Sequence, residues 1–387
     1  MRNLKPSHRL VASSGLALTL LAATLVSGPL ASASSKAPKS SEQRLYIPRS
    51  YTPAPTGGGT DDYHCSMVSM KQSGDVYITA SQFHPGSKEV HHAIMYLIDP
   101  SAAGEARTLN RGGKGWSCFG ETSIGKGAQS LSASRWLTAW APTKHKGLGY
   151  TPKGTGMFVP KGSVLVMQIH YNTLQGKRAD RSSLSVVTTP AKGSKLQPLV
   201  IKQLVAPPDI PCPAGVSGPL CDRNASIANT EKRFGASAVS FINVIEHACG
   251  RDPQNPPAAN TTSCTWPVWQ DGTILTAAAH MHLTGRTFSL VLNPGKPDEK
   301  VLLKVKNYNF DNQGAIKLPK AVNVKRGDTL QVNCGWDPKL RQMLPQLKKQ
   351  PARFVTWGAG SSDEMCLGVL GVTAPKTSST TTTSPAA

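Results

Sequence analysis

The sequence contains few acidic residues and few aromatic residues for its length. Among its 387 residues, 22 are Asp or Glu and 43 are Lys or Arg, which gives a formal net charge of +21, and aromatic side chains make up only 6%. The basic residues are scattered rather than grouped in blocks, and no aromatic residues are interleaved with them, which argues against nucleic acid as a partner. The charge instead favours solubility or attraction to an acidic surface.

The composition excludes a mainly disordered chain, and the length excludes a single small domain. Hydrophobic residues make up 39% of the sequence and charged residues 17%. A chain this long and this apolar can bury a sizeable core, and its length suits two domains with appendages.

After the first 33 residues, no stretch is long enough and apolar enough to span a membrane. Three basic residues at the start precede an apolar run at 15–26, and the small residues 31–33 follow it. This order is typical of a secretory signal peptide, which we predict over 1–33. The apolar run is shorter than the roughly 20 residues that a spanning helix needs. We therefore expect a secreted, extracellular protein with no membrane span.

All eight cysteines follow the predicted signal peptide. An even number of cysteines in an exported chain predicts disulfides, up to four here, formed in an oxidising compartment. Proximity along the chain suggests that Cys212 pairs with Cys221 and that Cys249 pairs with Cys264.

Long helical patterns are nearly absent, and short strand patterns recur between Pro and Gly residues. The clearest are the alternating apolar positions from Val76 to Ala80 and the apolar runs at 164–171, 273–292 and 329–334. These patterns predict an all-β fold of the sandwich type.

One short helix is predicted after Asp337-Pro338. Apolar residues recur at helical spacing between Leu340 and Leu347, and Asp337 provides a cap-like start. Pro345 falls inside the pattern, so we expect this helix to be brief and irregular.

Changes in composition divide the rest of the chain. Residues 34–59 are rich in Ser, Pro, Lys and Gly and predict a flexible linker, and the Thr-, Ser- and Pro-rich residues 375–387 predict a disordered tail. A polar, turn-rich stretch near 189–199 is the best candidate for a domain boundary. We therefore expect an N-terminal domain at 60–192 and a C-terminal domain at 193–374.

Histidines stand out at three places. His91 and His92 are adjacent, His170 lies in a strand pattern, and His280 and His282 form an H-x-H pair. On a strand, alternate side chains share a face, so His280 and His282 can bind one ion together. His91 and His92 can do so only with a local bend, or with Nδ1 of one ring and Nε2 of the other. The alternative for an H-x-H pair in a strand is a solvent-facing position without a metal.

Five motifs give these histidines a context. In chain order they are Asp61-Asp-Tyr-His-Cys65, His91-His92, Gln168-Ile-His-Tyr171, His280-Met-His-Leu-Thr-Gly285 and Ser361-Ser-Asp-Glu-Met-Cys366. Together they resemble the motifs of the copper type II, ascorbate-dependent monooxygenases, the family of peptidylglycine α-hydroxylating monooxygenase and dopamine β-monooxygenase. The resemblance covers about residues 60 to 373. It implies two tandem jelly-roll-like β-sandwich domains that face each other across a cleft, with one copper on each.

The resemblance implies two copper sites with different ligands. The metal ligands would be His91, His92 and His170 at the electron-transfer site, and His280, His282 and Met365 at the catalytic site, where oxygen is activated. The thioether of Met365 also favours Cu(I) over Mg²⁺ or Ca²⁺ and over most zinc sites by its own chemistry.

The implied activity is hydroxylation of a C–H bond in a small organic substrate. The cofactors would be two copper ions per chain, and the co-substrates O₂ and ascorbate or another small reductant. We expect a monomer. The resemblance further implies disulfides between Cys65 and Cys118 and between Cys334 and Cys366. The alternative function is a non-catalytic extracytoplasmic copper-binding or carrier protein, which has no need for two unlike ligand sets.

Two positions differ from the peptide-amidating members of the family. Those members have an arginine two residues before the H-x-H pair and a tyrosine four residues after the motif methionine, both of which hold the end of a glycine-extended peptide. Here the two positions are Ala278 and Val369, and Leu367 is also apolar. Because the charge-assisted contact is missing, we expect a substrate other than a glycine-extended peptide, with a more apolar reacting end.

Other polar residues near the motifs have simpler expected roles. Met281 is expected to pack on the face opposite the H-x-H histidines, and Asp363 and Glu364 to anchor copper ligands. Gln168 could point into the cleft or lie at the surface. Four other histidines are expected to be exposed or hydrogen-bonded: His64, His84, His145 and His247. The tryptophans are expected to anchor the core or loops: Trp116, Trp136, Trp140, Trp266, Trp269, Trp336 and Trp357.

Overall fold

The computed structural model describes residues 39–55, 59–119, 122–125, 133–142 and 147–373. The predicted signal peptide, the predicted C-terminal tail and His145 lie outside the described residues. The described residues all belong to one compact unit. Within them, no helix is both long enough and apolar enough to cross a membrane.

Strands make up most of the regular structure in the described part of the chain. In chain order they are β1 (Ser41–Tyr46), β2 (Asp61–Val68), β3 (Val76–His84), β4 (Val90–Ile98), β5 (Trp116–Ser117), β6 (Ser134–Trp140), β7 (Gly149–Tyr150), β8 (Thr155–Val159), β9 (Val164–Asn172), β10 (Ser183–Pro190), β11 (Gln197–Val205), β12 (Asp209–Ile210), β13 (Thr261–Pro267), β14 (Gly272–His280), β15 (Gly285–Leu292), β16 (Lys300–Val305), β17 (Ile316–Val324), β18 (Thr329–Trp336), β19 (Val355–Thr356) and β20 (Leu367–Thr373). The α-helices are α1 (Ala103–Leu109), α2 (Arg223–Phe234), α3 (Ala236–Ala248) and α4 (Leu340–Met343). The prediction of an all-β fold is confirmed.

Two layers of strands enclose the core of the N-terminal half. One layer is the five-stranded antiparallel sheet β5-β2-β9-β4-β6, and the other contains β1, β10, β3 and β8. Met95 and Met167 from the first layer meet Ile78 and Val186 from the second in one hydrophobic core. Alternating burial along β3 gives the second layer its apolar inner face.

The C-terminal half has a second pair of layers. The four-stranded sheet β13-β18-β15-β16 shares a core with β11, β20, β14 and β17, where Phe288 and Ile274 are buried. β11 also pairs with β8 through Gln197 and Thr155, so a nine-stranded sheet continues from one half into the other. The boundary predicted between residues 192 and 193 falls in the turn between β10 and β11. The division into two domains stays a prediction.

The predicted linker at 34–59 is wrong for part of its length. β1 pairs along its whole length with β10, from Ser41 opposite Thr188 to Tyr46 opposite Ser183. Leu45 is 2% exposed and Ile47 is 1% exposed. Burial of these two side chains and the backbone pairing offset the cost of ordering a segment that is otherwise polar.

Two helices that the sequence patterns do not predict, α2 and α3, form a hairpin before β13. The side chain of Asp222 accepts a hydrogen bond from the first turn of α2, and Gly235 separates the helices with φ of 84°. α2 buries only Ser226, Thr230 and Phe234. Because two of these three residues are polar, α2 lacks the apolar helical period that would reveal it.

The other local predictions agree with the structure. α4 lies in the helix predicted after Asp337-Pro338 and ends before Pro345. The patterns at 164–171 and 329–334 belong to β9 and β18, and the pattern at 273–292 contains both β14 and β15.

All four predicted disulfides are formed. They join Cys65 to Cys118, Cys212 to Cys221, Cys249 to Cys264, and Cys334 to Cys366. The last of these ties β18 to the residue that follows Met365, and it thereby restrains the backbone beside the thioether.

Candidate metal centre

Three imidazoles converge where β4 and β9 pair. Nδ1 of His92 lies 3.4 Å from Nδ1 of His91 and 3.3 Å from Nδ1 of His170. The register of the two strands shifts between Val90 and His92, and such an irregularity lets adjacent side chains turn toward one point. Of the two alternatives for adjacent histidines, the local bend is the one present, with Nδ1 of both rings directed inward.

Asp61 and Tyr63 of β2 hold the His170 ring. Asp61 Oδ1 accepts a 2.9 Å hydrogen bond from His170 Nε2, which leaves Nδ1 as the free nitrogen of that ring. Burial disfavours the charged carboxylate, yet hydrogen bonds from His170, Ser361 and Thr60 keep the pKa of Asp61 well below its usual range. Tyr63 stacks on His170 with ring centroids 4.2 Å apart, and its hydroxyl donates to the Ala359 carbonyl at 2.7 Å.

His280 and His282 form a second set, with ring centroids 5.2 Å apart. β14 ends at His280, so the prediction that both histidines lie within a strand is wrong for His282, which belongs to the segment between β14 and β15. Gln313 Oε1 accepts a 2.5 Å hydrogen bond from His280 Nδ1, and the Asp363 carbonyl accepts a 3.1 Å hydrogen bond from His282 Nδ1. Both rings therefore keep Nε2 free.

Glu364 fixes the segment that carries His282. Its carboxylate accepts hydrogen bonds from the backbone nitrogens of His282 at 2.9 Å and Thr284 at 2.7 Å and from Trp336 Nε1 at 2.9 Å. Burial raises the pKa of Glu364 to about 7, against the opposing effect of these hydrogen bonds. The geometry agrees with the anchoring role expected for this residue.

Asp363, one residue earlier, fixes the segment that leads to Met365. It is 3% exposed and forms ion pairs with Arg233 at 2.6 Å and with Arg353 at 2.9 Å. The two guanidinium groups lower the pKa of Asp363 although burial opposes that shift. Asp363 is therefore held as a carboxylate, and its backbone carbonyl is presented to His282.

Four of the five histidines in the two sets have lowered pKa values. Burial lowers the pKa of His280 to about 4 and that of His282 to about 3. Burial and the neighbouring imidazoles lower the pKa of His91 and His92 well below the usual value. These rings are neutral at neutral pH, and a neutral imidazole can donate its lone pair to a metal ion without first losing a proton.

The two sets lie beside each other at one cavity. The ring centroids of His92 and His280 are 6.2 Å apart. His91, His92, His280 and Met365 all line this cavity, and Met365 is 9% exposed.

The donor atoms suit copper. The first set, His91, His92 and His170, offers three nitrogens that lie close enough together to hold one ion. The second set offers two imidazole nitrogens, and Met365 adds a thioether on the same cavity. Imidazole and thioether ligands favour copper, whereas Mg²⁺ and Ca²⁺ require oxygen ligands. The nearby carboxylates of Asp61, Asp363 and Glu364 are already held by other partners.

Three of the remaining histidines lie in the described residues and belong to neither set. His64 Nε2 lies 3.1 Å from the Lys114 carbonyl, and His84 Nε2 lies 3.0 Å from Ser185 Oγ. His247 is exposed near the end of α3. These are the exposed or hydrogen-bonded roles expected from the sequence.

The other side chains considered near the motifs range from fully buried to largely exposed. Met281 is 0% exposed in the C-terminal core, as expected for a packing residue. Gln168 is also 0% exposed, with Nε2 3.8 Å from Cys118 Sγ, so it occupies neither the cleft nor the surface. Trp269 is 74% exposed. The tryptophans that line the cavity are Trp136, Trp140, Trp266 and Trp357.

Phe310 contacts both histidine sets and Gln313 contacts the second, and no sequence pattern predicts either role. Phe310 stacks on His91 at 4.7 Å and meets the His282 ring edge-on at 6.2 Å. Gln313 orients His280. Both residues lie in the irregular segment between β16 and β17, where no periodic pattern or motif marks them.

Comparison with known proteins gives one informative match. Residues 253–371 match the family model described as the C-terminal domain of copper type II ascorbate-dependent monooxygenases. No curated protein matches the chain. Among solved structures, allantoicase is 7% identical, with a TM-score of 0.17 and 72% of each chain covered. The infectious bursal disease virus VP2 subviral particle is 8% identical, with a TM-score of 0.18, 87% of this chain and 72% of that chain covered. Structural likenesses this weak carry no argument about fold or function.

Proposed function

We propose that this chain, whose residues 253–371 match the C-terminal domain model of the copper type II ascorbate-dependent monooxygenases, is a secreted dicopper enzyme of that family that hydroxylates a small organic substrate. One atom of O₂ enters a C–H bond of the substrate, and the other leaves as water. An external reductant such as ascorbate supplies the two electrons, and two protons are consumed. Copper, when bound, supplies the oxygen and electron-transfer chemistry.

The observation that carries this proposal is the pair of unlike ligand sets on one cavity. We assign the electron-transfer copper to His91, His92 and His170, and the oxygen-activating copper to His280, His282 and Met365. The 6.2 Å separation between the rings of His92 and His280 supports a function that uses both sets together. A copper carrier needs neither two unlike sets nor a shared cavity.

The surrounding residues would fix which nitrogen of each ring binds. Asp61 holds the Nε2 proton of His170, so Nδ1 is directed at His92. Gln313 and the Asp363 carbonyl hold the Nδ1 protons of His280 and His282, so Nε2 is free on both rings. Such outer partners orient metal ligands and raise their basicity.

The substrate end that reacts would lie against an apolar surface. Ala278 and Val369, the two positions that differ from the peptide-amidating enzymes, are directly opposite each other on β14 and β20 and line the cavity. A methyl and an isopropyl group cannot bind a carboxylate. This supports a substrate other than a glycine-extended peptide.

Secretion is supported by the cysteines and by the N-terminal sequence pattern. Four disulfides are formed and no cysteine is free among the described residues. Stable disulfides are typical of oxidising compartments outside the cytosol.

The proposal predicts a specific loss when Met365 is replaced. Met365→Ile keeps the apolar volume but removes the thioether, so Cu(I) binding at the second site should weaken and hydroxylation should fall at least about a hundredfold. The first site should stay filled. Copper content is measured by mass spectrometry, and activity as reductant-dependent oxygen uptake with ¹⁸O₂ across glycine-extended peptides, phenethylamines and apolar small molecules.

Met343→Ile is the matched control, because Met343 is 68% exposed and does not line the cavity. It should behave as wild type. An organic product that carries one ¹⁸O atom supports the proposal. Tight binding of copper without oxygen uptake for any substrate class would contradict it and favour the carrier, and efficient turnover of a glycine-extended peptide would contradict the interpretation of Ala278 and Val369.

A further inference from the structure

The cavity that joins the histidine sets is much larger than a copper site requires. Its volume is about 1590 Å³. One wall is formed by the paired strands β11, β20 and β14, and residues of β6 and α3 contribute to the rest. The room is sufficient for a drug-sized organic molecule to lie mostly buried.

The strand register orders this wall outward from the histidines. His280 ends β14, the alternate position Ala278 lies opposite Val369, and the next alternate position, Thr276, lies opposite Gly371. Alternate residues share one face of a strand, and each residue advances it by about 3.4 Å, so Thr276 lies about 14 Å from His280 along β14.

Apolar and aromatic side chains cover the part of the cavity near the histidines. Val369 and Ala278 belong to the strand wall, and Phe241 of α3 and Trp357 also line the cavity, with ring centroids 5.4 Å apart. Burial of an apolar part of a ligand against these groups is favourable. None of these side chains carries a guanidinium group that could bind a carboxylate.

Charge of one sign lies farther along the cavity. Lys317 of β17 lies opposite Thr276 and so on the same face of the wall as Ala278 and His280. The Lys317 side chain is exposed. The charged lining residues are Arg135, Lys153, Lys202 and Lys317, and none of the lining residues in the described part of the chain is acidic.

We propose that this cavity binds an amphiphilic organic anion. Its apolar end lies at His280 and Met365, and its carboxylate lies about 14 Å along the wall, at Lys317. The inference rests on the proposed function and deepens it: hydroxylation then takes place on the apolar end of the molecule, remote from the anionic group. The separation of apolar surface from lysines sets both the orientation and the charge of the substrate.

Three ligands with the same chain and different head groups test this directly. Sodium dodecanoate, dodecan-1-ol and dodecyltrimethylammonium, each below its critical micelle concentration, are titrated into the copper-free full-length mature protein. Trp136, Trp140, Trp266 and Trp357 line the cavity, so intrinsic fluorescence reports binding. Dodecanoate should bind about tenfold more tightly than the alcohol, since a charge-assisted contact exceeds a tenfold factor in affinity, and the cation should bind most weakly.

Single variants locate the contact. Lys317→Met should weaken dodecanoate binding about tenfold and leave dodecan-1-ol binding unchanged. The matched control is Lys320→Met, which removes the same charge from an exposed lysine of β17 that does not line the cavity. Val369→Trp, which fills the wall, should weaken both ligands. Thermal melting of each variant verifies folding.

Each result bears on one claim. Equal affinity for the three head groups, or dodecanoate binding that Lys317→Met does not affect, would overturn the inference even if the copper-loaded protein hydroxylates other molecules. Selective, lysine-dependent dodecanoate binding supports it. The same binding without copper-dependent oxygen uptake would overturn the proposed function and leave the anion site standing.

Discussion

Asp61 shows how one carboxylate can orient an imidazole that we propose as a copper ligand. It accepts from His170 Nε2 and also from Ser361 Oγ at 3.1 Å, a residue 300 positions away in the chain. The bond to His170 selects the ring nitrogen that is directed at His92, and the bond to Ser361 connects β2 to the segment that carries Met365. Asp61 therefore connects the first histidine set to the segment that carries Met365.

Replacement of Asp61 should weaken the first copper site selectively. Asp61→Ala removes the partner of His170 Nε2, and loss of such a partner typically lowers metal affinity about 10- to 100-fold. Asp61→Asn keeps an acceptor oxygen and should restore most of the affinity. Competition with a copper chelator measures the effect, and copper retention by Asp61→Ala equal to wild type would contradict the role assigned to this carboxylate.

At the scale of secondary structure, the sequence predicts strands far better than helices. Alternation from Val76 onward marks β3 because one face of that strand packs on a core. α2 buries Ser226 and Thr230 one helical turn apart, so its contact face carries no hydrophobic signal. α3 is apolar on several sides and resembles a strand run as closely as a helix. Both helices depend on tertiary contacts that local periodicity does not record.

The helix hairpin depends on its disulfide to β13. Cys249 and Cys264 close a loop with a sequence separation of 15 residues. Replacement of both by Ser should lower the free energy of unfolding by about 3 kcal/mol, chiefly because the unfolded chain gains freedom. Urea denaturation measures the change. A double variant as stable as wild type would show that α2 and α3 are held by packing alone.

A buried carboxyl in the same hairpin should make stability depend on pH. Glu246 of α3 is 0% exposed, and burial together with Asp209 raises its pKa well above the usual 4.5. Above pH 4.5 the unfolded chain loses this proton while the folded chain retains it, so this group lowers stability as pH rises, by up to about 1.4 kcal/mol per pH unit.

Glu246→Gln resembles the protonated form and should remove that dependence. The variant should match wild type near pH 4.5 and be more stable at pH 8. The measurement is urea unfolding of both proteins at pH 4.5, 6 and 8, because their difference cancels the other titrating groups. A stability difference that does not grow with pH would show that Glu246 is ionised in the folded protein.

At the scale of the whole molecule, the site is assembled from distant parts of one chain. The Tyr63 hydroxyl meets the Ala359 carbonyl across 296 positions, and the nine-stranded sheet runs through both halves. The motifs identified the donor types, because imidazole and thioether chemistry can be read from residues alone. Phe310, Gln313 and the lysines of the cavity wall could not be identified in that way, since their roles arise only when strands and loops from both halves meet.

The central claim is that this chain holds two coppers in unlike ligand sets, one of which contains a thioether. X-ray absorption spectroscopy at the copper edge of the Cu(I)-loaded protein tests it most directly, with Met365→Ile as the comparison. The account predicts two coppers per chain, all-nitrogen ligation at one of them, and a sulfur contribution from the other that disappears in Met365→Ile. A single copper per chain, absence of sulfur in the wild type, or sulfur ligation that persists in Met365→Ile would contradict it.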